Sequence, residues 1–188
     1  INGFFLLSST AFFFYQINDL RSIELLAIPI ILIAGNLSVY LIHRYPLHRK
    51  FRGIKDQTYG QHTLIHHRFY TNDHYQVAKN EKSHSFLFPP IVVILFCLII
   101  LPLLYLLFNL FLPHNLLYLS LGMSSSYFIL YEIVHYASHL PLGHWALRFG
   151  HFRRMRQHHL DHHNPRLMDK YNFNIVFPLF DHVFGTKK

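Results

Sequence analysis

The chain has 188 residues, of which 52% are hydrophobic and only 14% charged, and it carries a formal charge of +8 with histidine neutral. Its apolar residues lie in long uncharged runs, one of them 27 residues from Phe86 to Leu112, where about 20 apolar residues suffice to cross roughly 30 Å of hydrocarbon. A soluble globular enzyme, a disulfide-knotted secreted domain and a disordered chain are thereby excluded.

Four apolar segments follow one another. The first, residues 1–17, is rich in Phe and opens on Ile1-Asn2-Gly3 inside the apolar run, so the expectation is that a further segment precedes it. The second is 23–42, with Glu24 at its edge and Asn36 inside. The third is 86–112, with Pro89, Pro90 and Pro102, which predict tilt or a kink near Pro102. The fourth is 115–134, where Gly122, Ser124, Ser125 and Ser126 allow close helix contact. Only helices and closed barrels satisfy their backbone in lipid, and these runs lack barrel alternation. The expected fold is all-α: four transmembrane helices in a single membrane domain over 1–188. Cys97 is the only cysteine, so no internal disulfide forms and the redox compartment stays open.

The basic residues set the expected orientation. Of 17 Lys and Arg, 16 lie in 43–85 and 135–188, which four spans place on one side. The positive-inside rule makes that side cytoplasmic, and the two segments form a helical cap there. Charge of this kind suits lipid head groups; no nucleic-acid module accompanies it, so no nucleic-acid partner is expected.

The cap is rich in histidine, with 17 His in the chain against 9 acidic residues. Four clusters stand out: His43 and His48; His62, His66 and His67; His135 and His139; His158, His159, His162 and His163. About 1.5 adjacent His pairs are expected by chance, so the three doublets alone decide little. The spacings say more. On an α-helix residues four apart share a face, which pairs His62 with His66 and His135 with His139, and puts His159 with His162 and His163. His43 and His48, five apart, fall on different faces and would reach different ions. Doublets diverge by about 100°, so each can serve two metals. Two metals with five ligands each would use His43, His48, His62, His66, His67, His135, His139, His159, His162 and His163. Imidazole suits iron, zinc, copper or nickel rather than magnesium or calcium, and three Glu are too few for a carboxylate-bridged di-iron bundle.

Other residues carry weaker signals. Glu132, Asp161 and Tyr136 are candidates to accept from the far nitrogen of a ligating ring. Asn36, Tyr40 and His43 form a stripe that either lines a substrate cavity or makes a polar helix contact. His74, His84, His144, His151 and His182 read as surface or capping residues, and Trp145, Phe69, Tyr70 and Tyr75 as interfacial aromatics.

At the four clusters the sequence resembles the membrane fatty acid hydroxylase/sterol desaturase superfamily. Phe88-Pro89-Pro90 at the third span and the tail from Phe180 to Thr186, with Asp181, Phe184 and Gly185, extend the likeness over about 36–186. The resemblance implies an oxidoreductase, a di-iron monooxygenase or desaturase, with the ten histidines as ligands to two iron ions. Zinc can occupy the same imidazoles in a purified sample. O2 is the implied co-substrate and a lipid the substrate, with fatty acyl hydroxylation favoured over sterol desaturation, sterol methyl oxidation or carotenoid hydroxylation. Electrons are expected from a separate donor such as cytochrome b5, ferredoxin or a reductase, in a bacterial inner membrane or the endoplasmic reticulum. His158 matches only some relatives. The rival of a different class is a transition-metal-binding membrane protein or transporter, which should carry ligands at mid-membrane depth.

Overall fold

The computed structural model describes residues 1–50, 57–71, 74–76 and 87–188, and among these every regular element is helical. α1 (Asn2–Tyr15) has 14 residues. α2 (Ser22–Leu47) opens with a 3₁₀ turn and closes with a π turn at His43–Leu47. α3 covers 57–69, most of it a π-helical stretch at Gly60–His66. α4 (Pro90–Phe108) and α5 (His114–Ser138) follow. α6 (Gly150–His162) and the short α7 (Leu179–Val183) complete the chain.

α2, α4 and α5 are each long and apolar enough to cross a membrane. α1 is apolar too, but 14 residues rise only about 21 Å, short of a hydrocarbon core of roughly 30 Å. The four expected segments thus become three helices of spanning length and one shorter helix. The third run is trimmed at both ends. Residue 86 lies outside the described residues, and 109–112 form turns after Phe108. The remaining 19 residues rise about 28 Å, a span's length without marked tilt. The break expected near Pro102 takes the form of a π turn at Phe96–Ile100. Proline has no N–H to donate and its ring crowds the carbonyl four residues back, which a widened turn relieves. Pro46 sits in the π turn that ends α2 in the same way.

The chain divides into two compact units. One comprises Ile1–Gly35 and Phe88–Glu132. Its core joins Phe13 of α1, Leu101 of α4, and Leu117 and Leu121 of α5. Small residues set the spacing: Ser9 and Ser125 meet at 2.8 Å, and a Cβ on Gly35 would stand 3.0 Å from Tyr127 Cγ. At one end Asn115 Nδ2 donates to the Asn18 carbonyl at 2.7 Å, and His114 binds the Gln16 carbonyl at 2.9 Å.

The other unit comprises Asn36–Leu87 and Ile133–Lys188. Ala137, Leu140, Ala146 and Leu147 pack with Phe152 on one side of it. The tail after α6 is irregular yet buried, with Phe173, Ile175, Val176, Asn172 and Asn174 at 1% exposure or less. Buried irregular backbone needs partners for its polar groups, and the side chains of Asn174 and Asp181 supply many of them.

Candidate metal centre

All ten candidate histidines are buried, none more than 8% exposed. His43 stands in the π turn of α2 and His48 follows it; His62, His66 and His67 are on α3. His135 is in the last turn of α5, with His139 just beyond. His159 and His162 are on α6, and His163 caps it.

Their ring nitrogens gather in two groups. The first holds His43, His48, His62, His67 and His162; the second holds His66, His139, His159 and His163. Within each, the ligand atoms lie within 4.8 Å of one another. His135 packs against the second group, with ring centroids 4.7 Å from His159, 5.0 Å from His66 and 5.2 Å from His139. The doublets diverge as expected, His66 and His163 to the second group, His67 and His162 to the first.

Three pairings depart from the α-helical expectation, two of them at the π turns. His43 and His48 share a group, and His62 joins His67 rather than His66. The π turns explain both, because a π-helix closes i→i+5 and returns residues five apart to one face. His159 faces His163 but not His162, which belongs to the first group.

The far nitrogens have partners that no side-chain motif announces. Carbonyls accept from His43 (Phe173, 2.5 Å), His162 (Tyr171, 2.9 Å), His163 (Tyr70, 2.5 Å) and His139 (Tyr75, 3.1 Å). Asp169 accepts from His48 Nδ1 at 3.3 Å, and that hydrogen bond holds its carboxyl below the usual range. The carboxylates singled out in the sequence lie elsewhere. Glu132 accepts from the Phe88 N–H at 3.0 Å and Asp161 from Gln157 at 3.0 Å, while Tyr136 is exposed. His158 turns to Asp181 at 3.0 Å.

These partners test the fit of a metal. Carbonyls and carboxylates only accept, so Nδ1 of both His48 and His162 carries the hydrogen. Their Nε2 atoms are then bare lone pairs facing each other at 3.0 Å. Burial, the dominant influence on both, pushes the His48 imidazole down and that of His162 well down, so neither is charged near pH 7. Two opposed lone pairs repel unless a cation lies between them. Other Nε2 pairs are 2.8 Å (His43–His62), 3.2 Å (His62–His67), 3.2 Å (His139–His159) and 3.1 Å (His159–His163) apart. With metal–nitrogen bonds of about 2.1 Å, ligands at right angles stand about 3.0 Å apart. The donor set is imidazole throughout, neutral as metal binding requires: burial holds His62, His67, His139, His159 and His163 well below their ordinary range.

The remaining residues fall away from the centre. Asn36 donates to the Phe177 carbonyl, and Tyr40 packs on Phe173 and Phe184 while its hydroxyl accepts from Arg44 and donates to the Thr186 hydroxyl oxygen. The stripe they form with His43 therefore braces the tail. His144 caps the turn at Trp145–Arg148, His74 and His182 are exposed, and His151 packs on Phe177. His84 lies outside the described residues.

Residues 28–186 match the family model described as Fatty acid hydroxylase. No curated protein and no solved structure matches the chain.

Proposed function

The chain belongs to the fatty acid hydroxylase family, and we propose that it is a membrane-bound, O2-dependent hydroxylase of an unactivated C–H bond in a lipid, a fatty acyl chain being the substrate we favour. The observation that carries this reading is the pair of adjacent, buried, all-imidazole groups, five of whose rings have their tautomer pinned from outside. In our reading the ten histidines hold two iron ions, five each, with His135 completing the second set. When bound, the iron pair supplies activation of O2, with two electrons and two protons reducing the second oxygen atom to water.

The chain's own residues do the rest. The carbonyls of Tyr70, Tyr75, Tyr171 and Phe173 and the Asp169 carboxylate keep Nδ1 protonated, so that Nε2 presents its lone pair. Every ring is buried, and burial keeps the imidazoles of His48, His62, His67, His139, His159, His162 and His163 neutral near pH 7. We read the protein as one multi-pass domain in a bacterial inner membrane or the endoplasmic reticulum. The basic segments then put the centre on the cytoplasmic side, where a separate donor delivers electrons. A transporter is less well supported, since among the described residues the groups able to hold a metal are these two, with no further ligand set along the spans.

The test is lipid analysis of host cells with and without the gene, grown under ¹⁸O2. The expected result is a hydroxylated acyl lipid carrying one ¹⁸O atom, absent from a His135→Ala strain. Loss of a sterol product with unchanged hydroxylated acyl lipids would overturn the choice of substrate. Absence of any labelled lipid would overturn the activity.

A further inference from the structure

Asp181 in α7 has no exposed surface, and its carboxylate collects four donors. Oδ1 accepts from the Phe173 N–H (2.9 Å) and the Thr186 hydroxyl (2.8 Å). Oδ2 accepts from the Asn174 N–H (2.7 Å) and His158 Nε2 (3.0 Å). The Asp181 carbonyl in turn accepts from the N–H groups of Thr186 and Lys187 at 2.8 and 3.0 Å.

The Asn174 N–H and the Phe173 C=O belong to one planar peptide unit and point in opposite directions. With the N–H on Asp181, the C=O is aimed away from it, and that carbonyl accepts from His43 Nδ1. A second path has the same form. Asp181 holds Thr186 through hydroxyl and N–H, and the Thr186 carbonyl accepts from the Asn172 N–H at 2.8 Å. That N–H shares its peptide unit with the Tyr171 C=O, which accepts from His162 Nδ1. Both paths end on the first group. The second group is braced by Tyr70 and Tyr75, from a different part of the chain.

We infer that Asp181 is a positioning residue for the first histidine group alone, setting His43 and His162 through the 171–174 backbone. This rests on the reading of the two groups as metal sites. Charge on the carboxylate matters as well as shape, because an anion polarises the peptide units it holds and strengthens the hydrogen bonds at their far ends.

The test is zinc titration of the full chain in detergent against a chromophoric chelator, for wild type, Asp181→Asn and Thr186→Val. Wild type is expected to take two equivalents. Asp181→Asn keeps one tight equivalent and weakens the other by about 10- to 100-fold, the range for loss of a group that orients a ligand. Thr186→Val, which removes one donor and leaves the carboxylate, shifts the same equivalent by less, so the inference stays testable if Asp181→Asn does not fold. Equal weakening of both equivalents, or no change in either variant, would overturn the inference. A wild type that binds fewer than two equivalents would instead overturn the reading of the site on which it rests.

Discussion

Lowering the pH of the metal-free protein should collapse the centre. Six imidazoles outside the spans, those of His62, His67, His139, His159, His162 and His163, sit well below their ordinary range because burial disfavours their charged form. The unfolded chain takes up protons at about pH 6.5, the folded one only at lower pH. Stability is therefore complete above about pH 6.5 and drains away below it. Between pH 6.5 and 5.5 each ring that stays neutral in the folded state removes about 1 kcal/mol by this linkage. Six such rings remove at most about 6 kcal/mol, comparable with the 5–15 kcal/mol that holds a whole domain. Near-ultraviolet circular dichroism of metal-free protein in detergent, melted at steps from pH 7.5 to 5.5, reads this directly. A metal-loaded sample run in parallel should hold its melting temperature to lower pH, since protons must displace bound ions. A metal-free melting temperature that stays flat down to pH 5.5 would refute the reasoning.

Four further outcomes follow from the geometry. His135→Ala should abolish turnover and lower metal content, and full activity in that variant would remove His135 from the ligand set. Asp169→Asn should weaken one metal equivalent by about 10-fold, the low end for such a partner because the Asp169 side chain is 60% exposed; calorimetric zinc titration measures it. Inserting an alanine after Leu64, which is 40% exposed, lengthens the His62–His67 spacing to six, which neither an α turn nor a π turn returns to one face. One of two metal equivalents should be lost on elemental analysis. Gly35→Val drives a Cβ to 3.0 Å from Tyr127 Cγ, where ring rotation gives no relief, and should cost about 1–3 kcal/mol in thermal denaturation, recovered in part by Tyr127→Ala.

Much of the fold was legible because lipid leaves few choices. Uncharged runs of about 20 residues become helices, and α2, α4 and α5 lie where composition puts them. The boundaries were less legible. The apolar run that includes α4 extends past Phe108, but its last residues only turn toward α5, and hydropathy does not distinguish a span from an apolar turn. The histidines were legible as ligand candidates because each doublet and near pair is a side-chain signal. Their outer partners were not. A backbone carbonyl has no residue identity, so the acceptors at Tyr70, Tyr75, Tyr171 and Phe173 leave no mark in the sequence. Glu132 and Asp161 looked suitable by spacing, yet Glu132 is taken by the Phe88 N–H and Asp161 by Gln157.

The pairing of the candidate ligands shows where helical reasoning needs a second period. Both pairs five apart, His43 with His48 and His62 with His67, enter the first group, and each pair is associated with a π-helical stretch at His43–Leu47 or Gly60–His66. Of the pairs four apart, His62 with His66 spans the π stretch and is divided between the groups, while the other two belong to the second: His159 with His163 are both members, and His135 packs beside His139. The first of these lies on α6 and the second on the end of α5, where the helix keeps its ordinary period. Spacing therefore distinguishes the two groups once the turn type is known. Pro46 supplies one such cue, since a proline inside an otherwise helical run forces the backbone to widen or break. At Gly60–His66 no proline is present, and the clue is the histidine spacing itself: His62, His66 and His67 serve two centres from one short helix only if His62 and His67 share a face. A π turn gives them that face and leaves His66 free to project to the other group.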